Sequence, residues 1–171
     1  MQGRDRFIAG LWDGLRCVVA IDKPKSTGKS IELDLKELKI NNSVGNSRIV
    51  ADSDGLGNYL ESYIKNIVTF RGGASAKNKK EYNNIKSECG FKLAEKINNR
   101  ELYIQCSPSQ QEEITKELSM CLKRDNLDKD ERKKQLIPKD KMKEYLGHSP
   151  DYLDMLLMGM YFEVRSRKKP Q

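Results

Sequence analysis

Near the end of the chain, Gly147-His148-Ser149-Pro150-Asp151-Tyr152-Leu153-Asp154 runs directly into Met155-Leu156-Leu157-Met158-Gly159-Met160. A helix this apolar has to be buried on most of its sides. Yet two carboxylates, three residues apart, stand at its front. Acids leading a buried segment are costly unless something positive neutralises them, and a divalent cation does that well. Asp151 and Asp154 at i and i+3 share one helix face, and a helix N-terminus favours such charges by a few tenths to ~1 kcal/mol. Ser149-Pro150 is also an ordinary helix start, so from this segment alone Asp151 reads as a cap or as a ligand.

A further acid, Asp52, closes the apolar run Ile49-Val50-Ala51 and precedes Ser53-Asp54-Gly55-Leu56-Gly57. This is the pattern of a strand stopping at a carboxylate, followed by a glycine turn in which Asp54 is a turn residue. Strand ends are where ligands bind in open α/β sheets. Carboxylates from separate elements that meet at such an edge suit magnesium or manganese. These ions lower the pKa of bound water and stabilise a leaving oxygen. His148 is the only histidine, and no serine or cysteine motif accompanies it, which argues against a catalytic triad.

The remaining elements alternate. Residues 6–12 and 16–21 are short apolar segments split by Asp13-Gly14, a hairpin signal. Ser30 is expected to cap a helix carrying Ile31, Leu35 and Leu38. Residues 48–51 predict a strand, 56–66 a helix and 67–70 a buried strand. A stripe at Tyr82, Ile85, Cys89, Leu93 and Ile97 predicts a long amphipathic helix over 80–98. A short strand follows over 101–105. Ser107-Pro108 opens a helix running to about 123, and 125–134 is a charged loop. Further helices are expected over 139–146 and 149–164. Strands first, then strand alternating with helix, give an α/β domain with a mixed sheet. Thr27-Gly28-Lys29-Ser30 imitates the end of a phosphate-binding loop. Its first glycine would fall on Lys23, so a surface turn is expected instead.

A chain of 171 residues is long enough for one domain with a real core. No apolar run reaches the ~20 residues of a membrane span, and no signal peptide opens the chain. Cys17, Cys89, Cys106 and Cys121 lie far apart, which disfavours zinc and fits reduced thiols. The net charge of +7 favours a polyanionic partner. Its distribution is more telling: from Ser62 to Lys80 there are five cations (Lys65, Arg71, Lys77, Lys79, Lys80) and no acid. With Gly72 and Gly73 allowing close backbone approach, Arg71, Lys77, Lys79 and Lys80 form a candidate phosphate-contacting loop. Residues 165–171 form a basic tail.

Four segments in order resemble a known family: Ile49-Val50-Ala51-Asp52-Ser53-Asp54-Gly55-Leu56-Gly57; Phe70-Arg71-Gly72-Gly73-Ala74; Tyr82-Asn83-Asn84-Ile85-Lys86-Ser87-Glu88; and Leu146-Gly147-His148-Ser149-Pro150-Asp151-Tyr152-Leu153-Asp154. They look like the C-terminal nuclease domain of the large terminase subunit of tailed bacteriophages. The resemblance implies an RNase H-like fold over residues 1–164. It also implies a two-metal endonuclease, using two Mg2+ or Mn2+ ions, that cuts concatemeric double-stranded DNA during viral genome packaging in the cytoplasm of a bacterial host. Asp52 falls on one acidic metal ligand, Asp151 and Asp154 on another, and Asp5 on an auxiliary acid. Implied partners are the terminase ATPase domain, the small terminase subunit and the portal. The family's first strand and its aspartate have no counterpart in the sequence, so impaired nuclease activity is expected. Two other functions are open: a non-catalytic DNA-binding or docking module of the packaging motor, and another RNase H-like nuclease such as a junction resolvase.

Overall fold

The computed structural model describes residues 6–53, 56–121 and 133–166 (for Leu56, its helical backbone only). Asp5, Asp54, most of the expected charged loop, the end of the helix expected to reach 123, and the tail beyond Ser166 lie outside them.

Strands β1 (Phe7–Asp13) and β2 (Arg16–Lys23) form the expected hairpin, paired from Phe7↔Lys23 to Asp13↔Arg16. Gly14 makes the turn at φ +56°, a left-handed conformation that costs glycine little. Helix α1 (Gly28–Asn41) follows. Its cap is Thr27 rather than Ser30: the Thr27 hydroxyl accepts from Ser30 N, and the Ser30 hydroxyl accepts from Thr27 N. Thr27-Gly28-Lys29-Ser30 is therefore a capping box between a strand and a helix, not the surface turn expected.

Next come β3 (Val50–Asp52), α2 (Leu56–Tyr63) and β4 (Val68–Phe70), with β3 and β4 parallel. Residues 46–48, part of which was expected to be strand, form a 3-10 turn. Helix α3 (Ile85–Asn98) starts five residues later than the stripe suggested. Asn84 caps it by accepting from Ser87 N at 2.8 Å, while Tyr82 is drawn into a bridge with Lys134. Strand β5 (Tyr103–Gln105) pairs parallel to β2. Helix α4 (Pro108–Ser119) begins at the Ser107 cap, as expected, and α5 (Lys139–Leu146) and α6 (Asp151–Ser166) complete the order. Helix α6 continues through Arg165 and Ser166, which were assigned to the tail.

The mixed sheet is present in two pieces, β1-β2-β5 and β3-β4. Helix α6 is the central element: Tyr152, Leu153, Leu156, Leu157 and Met160 are fully buried, packed with Cys89 and Leu93 of α3 and Ile114 of α4. A smaller core joins Ile31 of α1 to Leu60, Ile64 and Ile67. All four cysteines are free thiols. Among the described residues no helix is long and apolar enough to cross a membrane.

The start of α6 is anchored to the hairpin by a polar network. The Arg6 guanidinium bonds Asp22 at 2.7 and 2.9 Å, Glu113 at 2.8 Å and the Tyr152 hydroxyl at 2.7 Å, and Tyr152 donates to Asp22 at 2.5 Å. The bonds from Arg6 hold the Asp22 carboxyl at about 2, despite burial acting the other way. A depressed carboxyl contributes stability above its unfolded pKa and loses it as pH falls toward the folded one. Asp22→Asn is therefore expected to remove a loss of stability, on the order of 2 kcal/mol, between pH ~4 and ~2. Melting temperatures of both proteins across that range check this.

Candidate functional site

Asp52, the last residue of β3, and Asp151 and Asp154, in the first turns of α6, line one cleft of about 630 Å³. Lys139, the first residue of α5 after Pro138, lines it too. All three carboxylates act on the Lys139 ammonium. Burial works against its charge, yet Asp154, Asp151 and Asp52 together raise its pKa.

Asp154 is partly buried, and the sequence left open what would neutralise it. One oxygen accepts from Lys86 Nζ at 2.8 Å and the other from Lys139 Nζ. Burial pushes its pKa up, but the two ammoniums outweigh this and hold the carboxyl below its usual range. Asp151 goes the other way. Burial raises it, with a Ser149 hydrogen bond and Lys139 opposing and Asp154 reinforcing. Neighbouring carboxylates with opposite shifts are a common feature of reactive sites.

Asp151 is not the cap of α6. It is the first helical residue, and the Leu153 amide is satisfied from outside by Glu117 Oε2 of α4 at 2.7 Å. Glu117 is buried, and desolvation lifts it to about 7, with the Leu153 bond opposing and Asp151 adding. Sequence reasoning missed Glu117, Lys86 and Lys139. Lys86 lay inside a quoted motif without a role, and the apolar spacing of α4 gave no sign that Glu117 turns inward.

The basic loop adjoins the cluster. Gly72 O accepts from Lys86 N at 3.1 Å, and a Cβ at Gly72 would lie 3.3 Å from the Lys86 side chain. The loop is folded by backbone bonds, Ala74 N to Arg71 O and Ile85 N to Ala74 O. The buried Glu88 carboxylate accepts from the amides of Lys77 (2.6 Å) and Asn78 (3.2 Å). Arg71, Gly73, Lys77, Lys79 and Lys80 are exposed. His148 is exposed and lies against the Ser149 carbonyl.

An all-carboxylate donor set fits a hard divalent cation in its chemistry. Its arrangement fits less fully. Among the described residues no three carboxylate, imidazole or thiol groups gather closely enough to hold a metal, and Asp154 gives both oxygens to lysines. Asp52 and Asp151 are the pair that the described cleft offers.

No protein-family model matches the chain, and no curated protein matches it significantly. Solved structures do, and the class they define is the nuclease domain of a phage large terminase, an RNase H-like fold that this chain shares. The nuclease domain of the large terminase subunit gp2 of bacterial virus Sf6 matches at TM-score 0.73 and 19% identity, covering 92% of this chain and 83% of that one. A variant of that domain, solved with manganese and beta-thujaplicinol, matches at 0.71 and 18%, with the same coverage of 92% and 83%. The variant with calcium matches at 0.71 and 19%, again covering 92% and 83%.

Two expectations follow from the geometry. A Cβ at Gly57 would fall 1.8 Å from the Asp52 carbonyl oxygen, a backbone atom that cannot step aside. Gly57→Ala is expected to cost about 1–3 kcal/mol in urea unfolding and to displace Asp52. Glu117, raised in the fold, draws stability down as pH climbs from ~4.5 to ~7, because the unfolded chain ionises first. Glu117→Gln keeps an acceptor for Leu153, so its melting temperature relative to the parent should rise between pH 5 and 8.

Proposed function

We propose that this chain is the metal-dependent endonuclease domain of a viral DNA-packaging terminase, cleaving double-stranded DNA at the cleft lined by Asp52, Asp151 and Asp154. The observation that carries this is that those three carboxylates line one cleft, on a fold shared with terminase nuclease domains. Neighbouring structures containing manganese and calcium support a divalent ion as the working cofactor.

In this reading Asp52 and Asp151 hold the ions, because Asp154 already satisfies its charge with Lys86 and Lys139. A bound Mg2+ or Mn2+, and in the fullest form two ions, supplies Lewis acidity toward the scissile phosphate and an activated water. The remaining work falls to the chain itself. Asp154, fixed by two lysines, ties α6 to α3 and α5, which keeps Asp151 oriented beside Asp52. Lys86 joins this cluster to the loop, so phosphates gripped by Arg71, Lys77, Lys79 and Lys80 lie next to the acids, with Gly72 and Gly73 as points of close backbone approach. Asp5 would be an auxiliary acid. The domain is taken as residues 1–164, acting in the cytoplasm of a bacterial host with the terminase ATPase domain, small subunit and portal as partners.

One observation favours a second reading, a non-catalytic DNA-binding module of the same motor: no metal-holding group of three occurs among the described residues. Plasmid cleavage in MgCl2 or MnCl2 separates the two. Asp52→Asn and Asp151→Asn are each expected to lower cleavage at least about a hundredfold, the scale that outer-shell metal partners alone reach. Salt-dependent DNA binding should persist in both variants. Absence of cleavage in the parent, with DNA binding retained, would select the module.

A further inference from the structure

The first turn of α6 is capped by a neighbouring helix rather than by its own segment. Leu153, the third residue of α6, has an amide with no partner inside the helix. In most helices a serine, threonine, asparagine or aspartate just before the first residue accepts that bond. Here the place is taken by Pro150, which has no side-chain oxygen. Pro150 and Leu153 are both fully buried, so the amide is shut off from bulk water.

Glu117 supplies the acceptor. Its Oε2 lies 2.7 Å from Leu153 N, and its side chain is buried to 1% exposure. One turn earlier on α4, Glu113 bonds Arg6 at 2.8 Å, and Arg6 bonds the Tyr152 hydroxyl at 2.7 Å. Two α4 carboxyl groups at i and i+4 thus hold consecutive α6 residues, one directly and one through Arg6. The bond to Leu153 needs only an acceptor oxygen, which a glutamate offers whether ionised or neutral.

We propose that Glu117 is a positioning residue for divalent-cation binding: it meets the Leu153 amide, so that the Asp151 carboxylate stays turned to the cleft beside Asp52. Of the other side-chain oxygens close by in sequence, Tyr152 is bound to Asp22 and Asp154 to Lys86 and Lys139. The Ser149 hydroxyl and the Asp151 carboxylate remain. A buried amide left unmet is costly, so loss of Glu117 draws Asp151 away from the cleft toward its own helix. Glu117 itself does not line the cleft, and its role rests on Asp52 and Asp151 being the pair that holds the ion.

Mn2+ binding to the full chain, measured by electron paramagnetic resonance of the free ion, tests this without any cleavage of DNA. Three variants are compared under conditions where circular dichroism shows each to be folded. Glu117→Gln keeps an acceptor, Glu117→Leu removes it, and Val164→Ala loosens the buried far end of α6. Glu117→Leu is expected to weaken Mn2+ binding about ten- to a hundredfold, while Glu117→Gln and Val164→Ala stay within about twofold of the parent. Should Glu117→Leu not fold, Glu117→Asp, which keeps the charge but shortens the reach, takes its place with the same expectation. Unchanged affinity in that variant overturns the positioning role and leaves the acid pair standing. So does an equal loss in Glu117→Gln or in Val164→Ala. A parent chain that binds no Mn2+ overturns the acid pair itself, and the role of Glu117 with it.

Discussion

The pairing of the partly buried Asp154 with two lysines is the constraint around which the helices are arranged. A partly buried carboxylate without partners is costly. Two ammoniums from different elements, Lys86 on α3 and Lys139 on α5, make it tolerable. In doing so they fix where those helices lie relative to α6. The same contacts bear on the cleft, because Lys139 lines it together with Asp52 and Asp151 and its charge is favoured by both. Stability and candidate chemistry thus rest on one cluster, in which a lysine holds the position a cation would hold.

A second polar network does for the hairpin what the first does for the helices. Arg6, Asp22, Tyr152, Glu113 and Gln110 join β1, β2, α4 and α6 behind the acid cluster. With Glu117 capping α6 from α4, the start of that helix is held by side chains from three directions. The two acids it carries are displayed by a rigid mount rather than a loop.

Much of this was legible in the sequence where the signal is local. The density of apolar residues after Asp154 identified the buried helix, Asp13-Gly14 the hairpin, and Ser107-Pro108 a helix start. The acid at the end of Ile49-Val50-Ala51 marked a strand end, and Asp52 shares its cleft with Asp151 and Asp154. What escaped was non-local. Nothing in the sequence near Lys86 says that its ammonium meets a carboxylate 68 residues away. Likewise, the spacing around Tyr82 fits a helix well, and the bond from Ser87 to Asn84 decides the boundary instead. Division of the sheet into two pieces is a property of tertiary placement, and residue patterns within each strand carry no trace of it. For Asp151 the segment allowed capping or ligation, and the amide bonded to Glu117 removed the first.

Glu88 also governs the backbone at residues 77 and 78. Its carboxylate is spent on two main-chain amides, so the shape of the basic loop is written into the backbone and not into its lysines. Conformation and charge are thereby uncoupled. Cationic side chains along that edge can be added, removed or exchanged without touching the bonds from the Lys77 and Asn78 amides that shape the loop.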